Sequence, residues 1–274
     1  MEQIKSHIQI PKGILKHFRD MSDDSKQVWY LDIESGDIRR CPSKRLGTRK
    51  GYFSDTIEKY LNASIESPIT HLNSKIRLFV DGKSNNLSIS ENDVNLLNKY
   101  IKSAMARSGI AYNASKKALV FSQFFMKDQA NHDGLIYHSL ESNTTMADDI
   151  LSKGKMMIVV NTTNRRYVVP RNCFYCYESN ILAPISPNCA LAIGLQDDRQ
   201  SEDKEICEFK VINDENMIEI LNCCALKYEY IYNKDFVASD SRDEIGRLAS
   251  FLADHREEFE ALHHNVSISP KKDE

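Results

Sequence analysis

The chain has 274 residues and a mass of 31.4 kDa, enough for one large domain or two small ones with a self-sufficient core. Hydrophobic residues at 41% and charged residues at 27% exclude a collagen, a coiled-coil rod and a wholly disordered chain. A mean hydropathy of -0.47 with no apolar run of about eighteen residues excludes a membrane-spanning helix, and a net charge of -3 carries no global basic signature for nucleic acid.

The small net charge conceals an asymmetry. Residues 1–195 carry 26 Lys and Arg against 19 Asp and Glu, whereas residues 196–274 carry 10 against 20. The cations are densest at Arg39, Arg40, Lys44, Arg45, Arg49 and Lys50, with no acid among them. Such a cluster attracts phosphate over a Debye length of about 8 Å in physiological salt. The competing reading is a solvated loop balanced by the acidic C-terminal region.

Lys5, His7, Lys12 and Lys16 interrupt the first apolar residues, so no secretory signal is expected. The seven cysteines are odd in number and irregular in spacing, and are expected to be reduced thiols in a cytoplasm.

In chain order, Pro11 suits the first turn of a short helix over about 11–20. Val28, Tyr30 and Asp32 then alternate with Trp29, Leu31 and Ile33 before Ser35-Gly36, which predicts a β-hairpin. A helix is expected over 54–62, and Pro68 opens another that carries Ile69, Leu72, Ile76 and Phe79 on one face and ends at Asp81-Gly82. Ser90 and Asp93 resemble a capping box for the helix of Val94, Leu97, Ile101 and Ala104. A further helix over 115–128 carries Phe121, Phe124 and Phe125.

From residue 155 the period changes. Strands are expected at 156–160, 166–170, 173–177, 190–195 and 208–212, the first two joined as a hairpin through Asn161-Thr162-Thr163-Asn164. Asn213 or Asp214 caps a helix with Met217, Ile218, Leu221 and Ala225 on its apolar side, and a last helix spans 240–262. Segregated strands and helices predict an α+β fold: an N-terminal helix and β-hairpin, central helices, an antiparallel sheet after residue 155 and C-terminal helices. No linker divides the chain, so a single domain over 1–262 with a disordered tail over 263–274 is expected.

IPKGILKHF followed by VWYLDIESGDI resembles the opening of a bacterial family catalogued as domain of unknown function 4238, through Pro11, Leu15 and Phe18. Tyr100-Ile101 with Ala106-Arg107-Ser108 is similar to that family's mid-chain helix, and residues 181–195 to its Pro-hydrophobic-Ser-Pro segment. The segment from Val211 through Tyr232 is similar to its closing strand and helix. The resemblance implies a shared fold and a bacterial or phage-linked, cytoplasmic context, and little chemistry. The chain departs from the pattern in two places. Ile8 stands where the family has His, with His7 adjacent, and Asn161-Thr162-Thr163 replaces an acidic turn.

Among residues that could carry chemistry, Asp198 with Glu208 and Lys210 fits a PD-(D/E)xK nuclease. The strand period of two puts Glu208 and Lys210 on one side. The carboxylates would hold Mg²⁺ against the phosphate and the lysine would orient water. Glu202-Asp203-Lys204 repeats the pattern nearby, which shows how readily it arises in a charged stretch. Cys173-Phe174-Tyr175-Cys176 lacks the second pair of a structural zinc site. Glu260 and His263 lie one helical turn apart, with His255 further back, but a di-iron bundle needs more ligands. His132, Asp133 and His138 could supply a general base. Trp29, Tyr30, Tyr52 and Phe53 flank the basic cluster and could stack bases. No phosphate loop or dinucleotide fingerprint is present.

The leading expectation is a non-catalytic binding protein that meets nucleic acid or an acidic protein partner through Arg39–Lys50. The alternative is a metal-dependent phosphodiesterase using Asp198, Glu208 and Lys210. The oligomeric state is not encoded in any readable pattern.

Overall fold

The computed structural model of the chain describes residues 5–7, 10–22, 24–50, 55–106, 154–178, 180–195 and 207–267. In order these form β1 (Lys5–His7), α1 (Lys12–Leu15) with a 3₁₀ turn over Lys16–Phe18, β2 (Gln27–Asp32), β3 (Ile38–Pro42) and β4 (Thr48–Lys50). Then come α2 (Asp55–Leu61), α3 (Ser67–Val80) and α4 (Glu91–Ala106). The strands β5 (Gly154–Asn161), β6 (Val169–Pro170), β7 (Tyr175–Tyr177), β8 (Asn180–Ser186), β9 (Cys189–Leu195) and β10 (Cys207–Ile212) follow. The chain closes with α5 (Glu215–Tyr232), β11 (Phe236–Ser239) and α6 (Arg242–Ser267).

The fold is α+β. A five-stranded sheet has the order β10-β5-β9-β8-β7, a four-stranded sheet the order β3-β2-β11-β6, and β1 pairs with β4 in a small ribbon. The five-stranded sheet is mixed: β10 runs parallel to β5, while the other pairings are antiparallel. The parallel pair arises because β5 and β10 are not sequence neighbours, so no tight turn dictates their direction.

Local chemistry explains the elements that the sequence announces. Gly36 takes φ +79°, and its N–H donates to the Asp32 carbonyl to close the β2–β3 turn. At α4 the Asp93 carboxylate accepts from the Ser90 N–H at 2.9 Å while the Asp93 N–H reaches the Ser90 hydroxyl, a reciprocal cap. Asp214 caps α5 by accepting from the Asn216 N–H.

Three expectations change. The 156–160 and 166–170 segments do not form a hairpin. The Asn161 side chain instead donates to the Arg165 carbonyl and accepts from the Thr163 N–H, turning the chain so that β6 pairs with β11 in the other sheet. The helices around Pro68 are not separate, because a π-helical segment over Asn62–Glu66 joins α2 to α3. Its wider turn accommodates a ring that would clash with an α-helical carbonyl four residues back. Finally, α6 continues to Ser267, past the end expected at 262.

The central strands bury both faces. Met156 and Ile158 of β5 join a core with Ile14, Leu15, Phe18, Ile69, Leu72 and Ile76. Met157 and Val159 join a second core with Leu221, Leu226, Leu248 and Phe259. Each fully buried Leu, Ile or Phe contributes roughly 1.5–3 kcal/mol of transfer free energy. At one margin of the second core, Arg165 is buried against Glu244 and also reaches Glu219, which ties the start of α6 and α5 to the turn after β5.

Candidate functional site

Consecutive residues of a strand point to opposite faces, so β3 separates Arg39 from Arg40. Arg39 pairs with Asp32 at 3.0 Å and Asp37 at 2.8 Å, and its hydrogen bond holds the Asp37 carboxyl below the usual carboxylate range. Arg40 reaches the buried Asp20 at 2.7 Å, with its guanidinium 4.9 Å from the centre of the Trp29 ring. Arg242 lies over the same ring at 5.6 Å, and the indole N–H donates to Asp20. Trp29 is thus occupied by cations of its own chain, leaving no open stacking platform. Tyr30 packs edge-on against Phe236, and Tyr52 and Phe53 lie outside the described residues.

Lys44 and Arg45 behave differently. They sit in the turn after β3, exposed, and no carboxylate among the described residues engages either side chain. Arg49 and Lys50 belong to β4, where the register sets Ser6 opposite Arg49 and Lys5 opposite Lys50. The six cations are therefore split: two are held by acids, two have no acid partner among the described residues and two lie on a ribbon that brings up another lysine.

A second basic locus was not singled out from the sequence. Pro11 starts α1, and Ile14, Leu15 and Phe18 are buried, which leaves Lys12 and Lys16 one turn apart on the outward face. Gly13 allows α1 to approach α3 closely, since a Cβ there would lie 2.3 Å from Thr70 Oγ1. Between the two elements opens a cleft of about 520 Å³. Lys12, Lys16 and Arg19 line one wall, and Asn62, Glu66, Ser67, Thr70, His71 and Ser74 the other. Arg19 donates through Nε to the buried Ser43 hydroxyl at 2.8 Å, which joins this cleft to the turn bearing Lys44 and Arg45. Nearby, His17 accepts from Arg77 at 2.5 Å; burial, then Arg77, pushes its pKa down to about 3, so it stays neutral. The signal in the sequence was the spacing of Lys12, Lys16 and Arg19 around a buried apolar stripe.

Of the nuclease trio, Glu208 and Lys210 lie on the same side of β10, opposite Met157 and Val159 in register. Glu208 pairs with Lys155 at 3.6 Å, and Lys210 is exposed. Asp198 lies outside the described residues, as do His132, Asp133, His138 and the 115–128 helix. Among the described residues no group of three His, Cys, Asp or Glu side chains could hold a metal ion.

The remaining candidates are engaged locally. All seven cysteines are free thiols, with Cys173 buried and Cys176 exposed, and burial pushes Cys189 up to about 12. Glu260 accepts from the Tyr230 hydroxyl at 2.7 Å and from Lys234 at 2.6 Å. His263 bonds the Ile231 carbonyl and His255 the Phe251 carbonyl. No helix among the described residues is long and apolar enough to cross a membrane.

Fold and surface together define an α+β protein with a divided basic region near its N-terminal strands and helix. A family model described as protein of unknown function DUF4238 matches residues 7–236, and the chain belongs to that family. No curated protein and no solved structure matches it.

Proposed function

We propose that this protein is a binding protein that meets a polyanion, nucleic acid first and an acidic protein as the other carrier of such charge, through its N-terminal basic surface. The observation that carries the reading is the freedom of Lys44 and Arg45, exposed in one turn with no carboxylate engaging them among the described residues. Arg49 and Lys50 on β4 add charge close by in the chain. Arg39 and Arg40 contribute little, because their charge is already matched by Asp32, Asp37 and Asp20. With Trp29 covered, contact is to phosphates rather than to stacked bases.

The test is the affinity for a single-stranded oligonucleotide against salt concentration. Each phosphate neutralised on a single strand steepens the slope of log affinity on log salt by about 0.7. Lys44→Ala with Arg45→Ala should flatten that slope by about 1.4, whereas Arg39→Ala should leave it nearly unchanged. Binding that ignores salt, or no binding to the oligonucleotide or to an acidic polypeptide, overturns the reading.

A metal-dependent phosphodiesterase using Asp198, Glu208 and Lys210 is the second reading. In its favour, β9 ends and β10 begins at the same end of β5, with Leu195 opposite Gly154 and Cys207 opposite Met156. That brings the chain on either side of residues 196–206 together beside Glu208. Cleavage with Mg²⁺ that stops on Glu208→Ala, in a variant that still folds, would establish it. Intact substrate across several divalent metals would remove it.

A further inference from the structure

We propose that the cleft between α1 and α3 is a binding site for a sugar phosphate, a small hydroxylated molecule carrying one phosphate. Its volume of about 520 Å³ is in the range of small-molecule clefts and exceeds what a lone phosphate fills. Three basic side chains, Lys12, Lys16 and Arg19, face a single acid in the lining, Glu66. Arg19 is held in place by its Nε bond to Ser43, and among the described residues the two terminal nitrogens of its guanidinium have no partner and can meet a phosphate.

The opposite wall selects for hydroxyls. Thr70 donates to the Glu66 carbonyl at 2.7 Å, Ser74 to the Thr70 carbonyl at 2.8 Å and Ser67 to Asn62 Oδ1 at 3.1 Å. These protons are spent, so the three hydroxyl oxygens are left as acceptors, and the Asn62 amide N–H is left as a donor. Acceptors repel a second anion and receive the O–H groups of a sugar. Among the described residues the only aromatic ring in the lining is His71, so a nucleobase would find no broad stacking surface. Cations on one wall and hydroxyl acceptors, with one amide donor, on the other orient a ligand with phosphate toward α1 and hydroxyls toward α3. The site uses none of Lys44, Arg45, Arg49 or Lys50 and stands independently of the polyanion reading.

Calorimetric titration of the full chain with ribose 5-phosphate, inorganic phosphate and ribose tests the assignment. The sugar phosphate should bind with one-to-one stoichiometry, about tenfold more tightly than either fragment. Lys12→Ala with Lys16→Ala, both at exposed positions, should weaken it by about tenfold or more, and Lys16→Glu should do the same. Lys44→Ala with Arg45→Ala should leave it unchanged while reducing oligonucleotide binding, so the two proposals fail separately. No binding, unchanged binding in both lysine variants, or equal affinity for inorganic phosphate and the sugar phosphate overturns the assignment.

Discussion

Arg40 and Asp20 meet at 2.7 Å between the loop after the first helix and the second strand of the hairpin, and the Trp29 indole donates to the same carboxylate oxygen at 2.9 Å. This contact removes one guanidinium and one aromatic face from the surface that the basic cluster would otherwise present. A side-chain hydrogen bond from Ser22 leads the causes holding the Asp20 carboxyl below its usual range, and the Ser22 N–H, which donates to Asp20 Oδ1 at 2.8 Å, adds to it.

Asp20→Ala leaves Arg40 and the Trp29 N–H without their shared acceptor. The expected loss is about 2 kcal/mol, the cost of orphaning partly buried donors, read as a lower urea midpoint at unchanged slope. The same variant should raise affinity for an oligonucleotide at low salt, because Arg40 is released from its internal partner. A variant with wild-type stability and wild-type affinity would show that the contact matters to neither.

Arg165 and Glu244 form a buried two-pronged pair, Nε to Oε1 at 2.6 Å and Nη2 to Oε2 at 2.9 Å. Glu244→Gln should destabilise by about 3 kcal/mol, since a buried guanidinium loses its buried counter-charge and keeps only the half-exposed Glu219. Replacing both residues, with Arg165→Met and Glu244→Leu, should recover much of the loss. A double-mutant cycle in urea measures the coupling, and strict additivity would contradict it.

Glu229 is fully buried on α5 and accepts from the Asn172 N–H; desolvation raises its pKa from 4.5 to about 7. Its folded-state pKa lies above the unfolded one, so the folded state holds a proton that the unfolded chain releases between these values. The stability tied to that proton is complete below pH 4.5 and is lost as pH rises through about 7. Glu229→Gln removes the ionisation and should raise thermal stability at pH 8 relative to wild type, with the advantage shrinking toward pH 5. A pH-independent difference between the two proteins would show that the carboxyl does not titrate in this window.

Gly13→Ala forces a Cβ into Thr70, whose Oγ1 lies 2.3 Å and Cγ2 2.7 Å from the added atom. The expected cost is about 1–3 kcal/mol, as for other overpacked contacts. Thr70→Ala in the same chain should relieve most of it, because the nearest remaining atom is then the Cβ at 3.1 Å. Unfolding of the two single variants and the double variant checks this non-additivity.

Features set by near neighbours were readable before any coordinates. The Ser35-Gly36 turn, the Ser90–Asp93 cap and the Asp214 cap each depend on atoms a few residues apart, so their chemistry is written in short words of sequence. The strand at Asn180–Ser186 was less legible, because Pro184 disguises a strand that carries a register shift beside it. The four-residue β11 was too short to show a period.

By itself, the sequence determined the α+β class, the family and the positions of most of the described helices, since periodicity and capping are properties of a local stretch. Only the tertiary structure decided which cations are free. Arg39 and Arg40 find acids on the turn and on the loop before β2, and Lys12, Lys16 and Arg19 acquire an opposite wall only when Gly13 lets α1 settle against Thr70. Charge partnership and cleft shape depend on residues brought together across the chain, and a strand or helix pattern carries no record of the element that will face it.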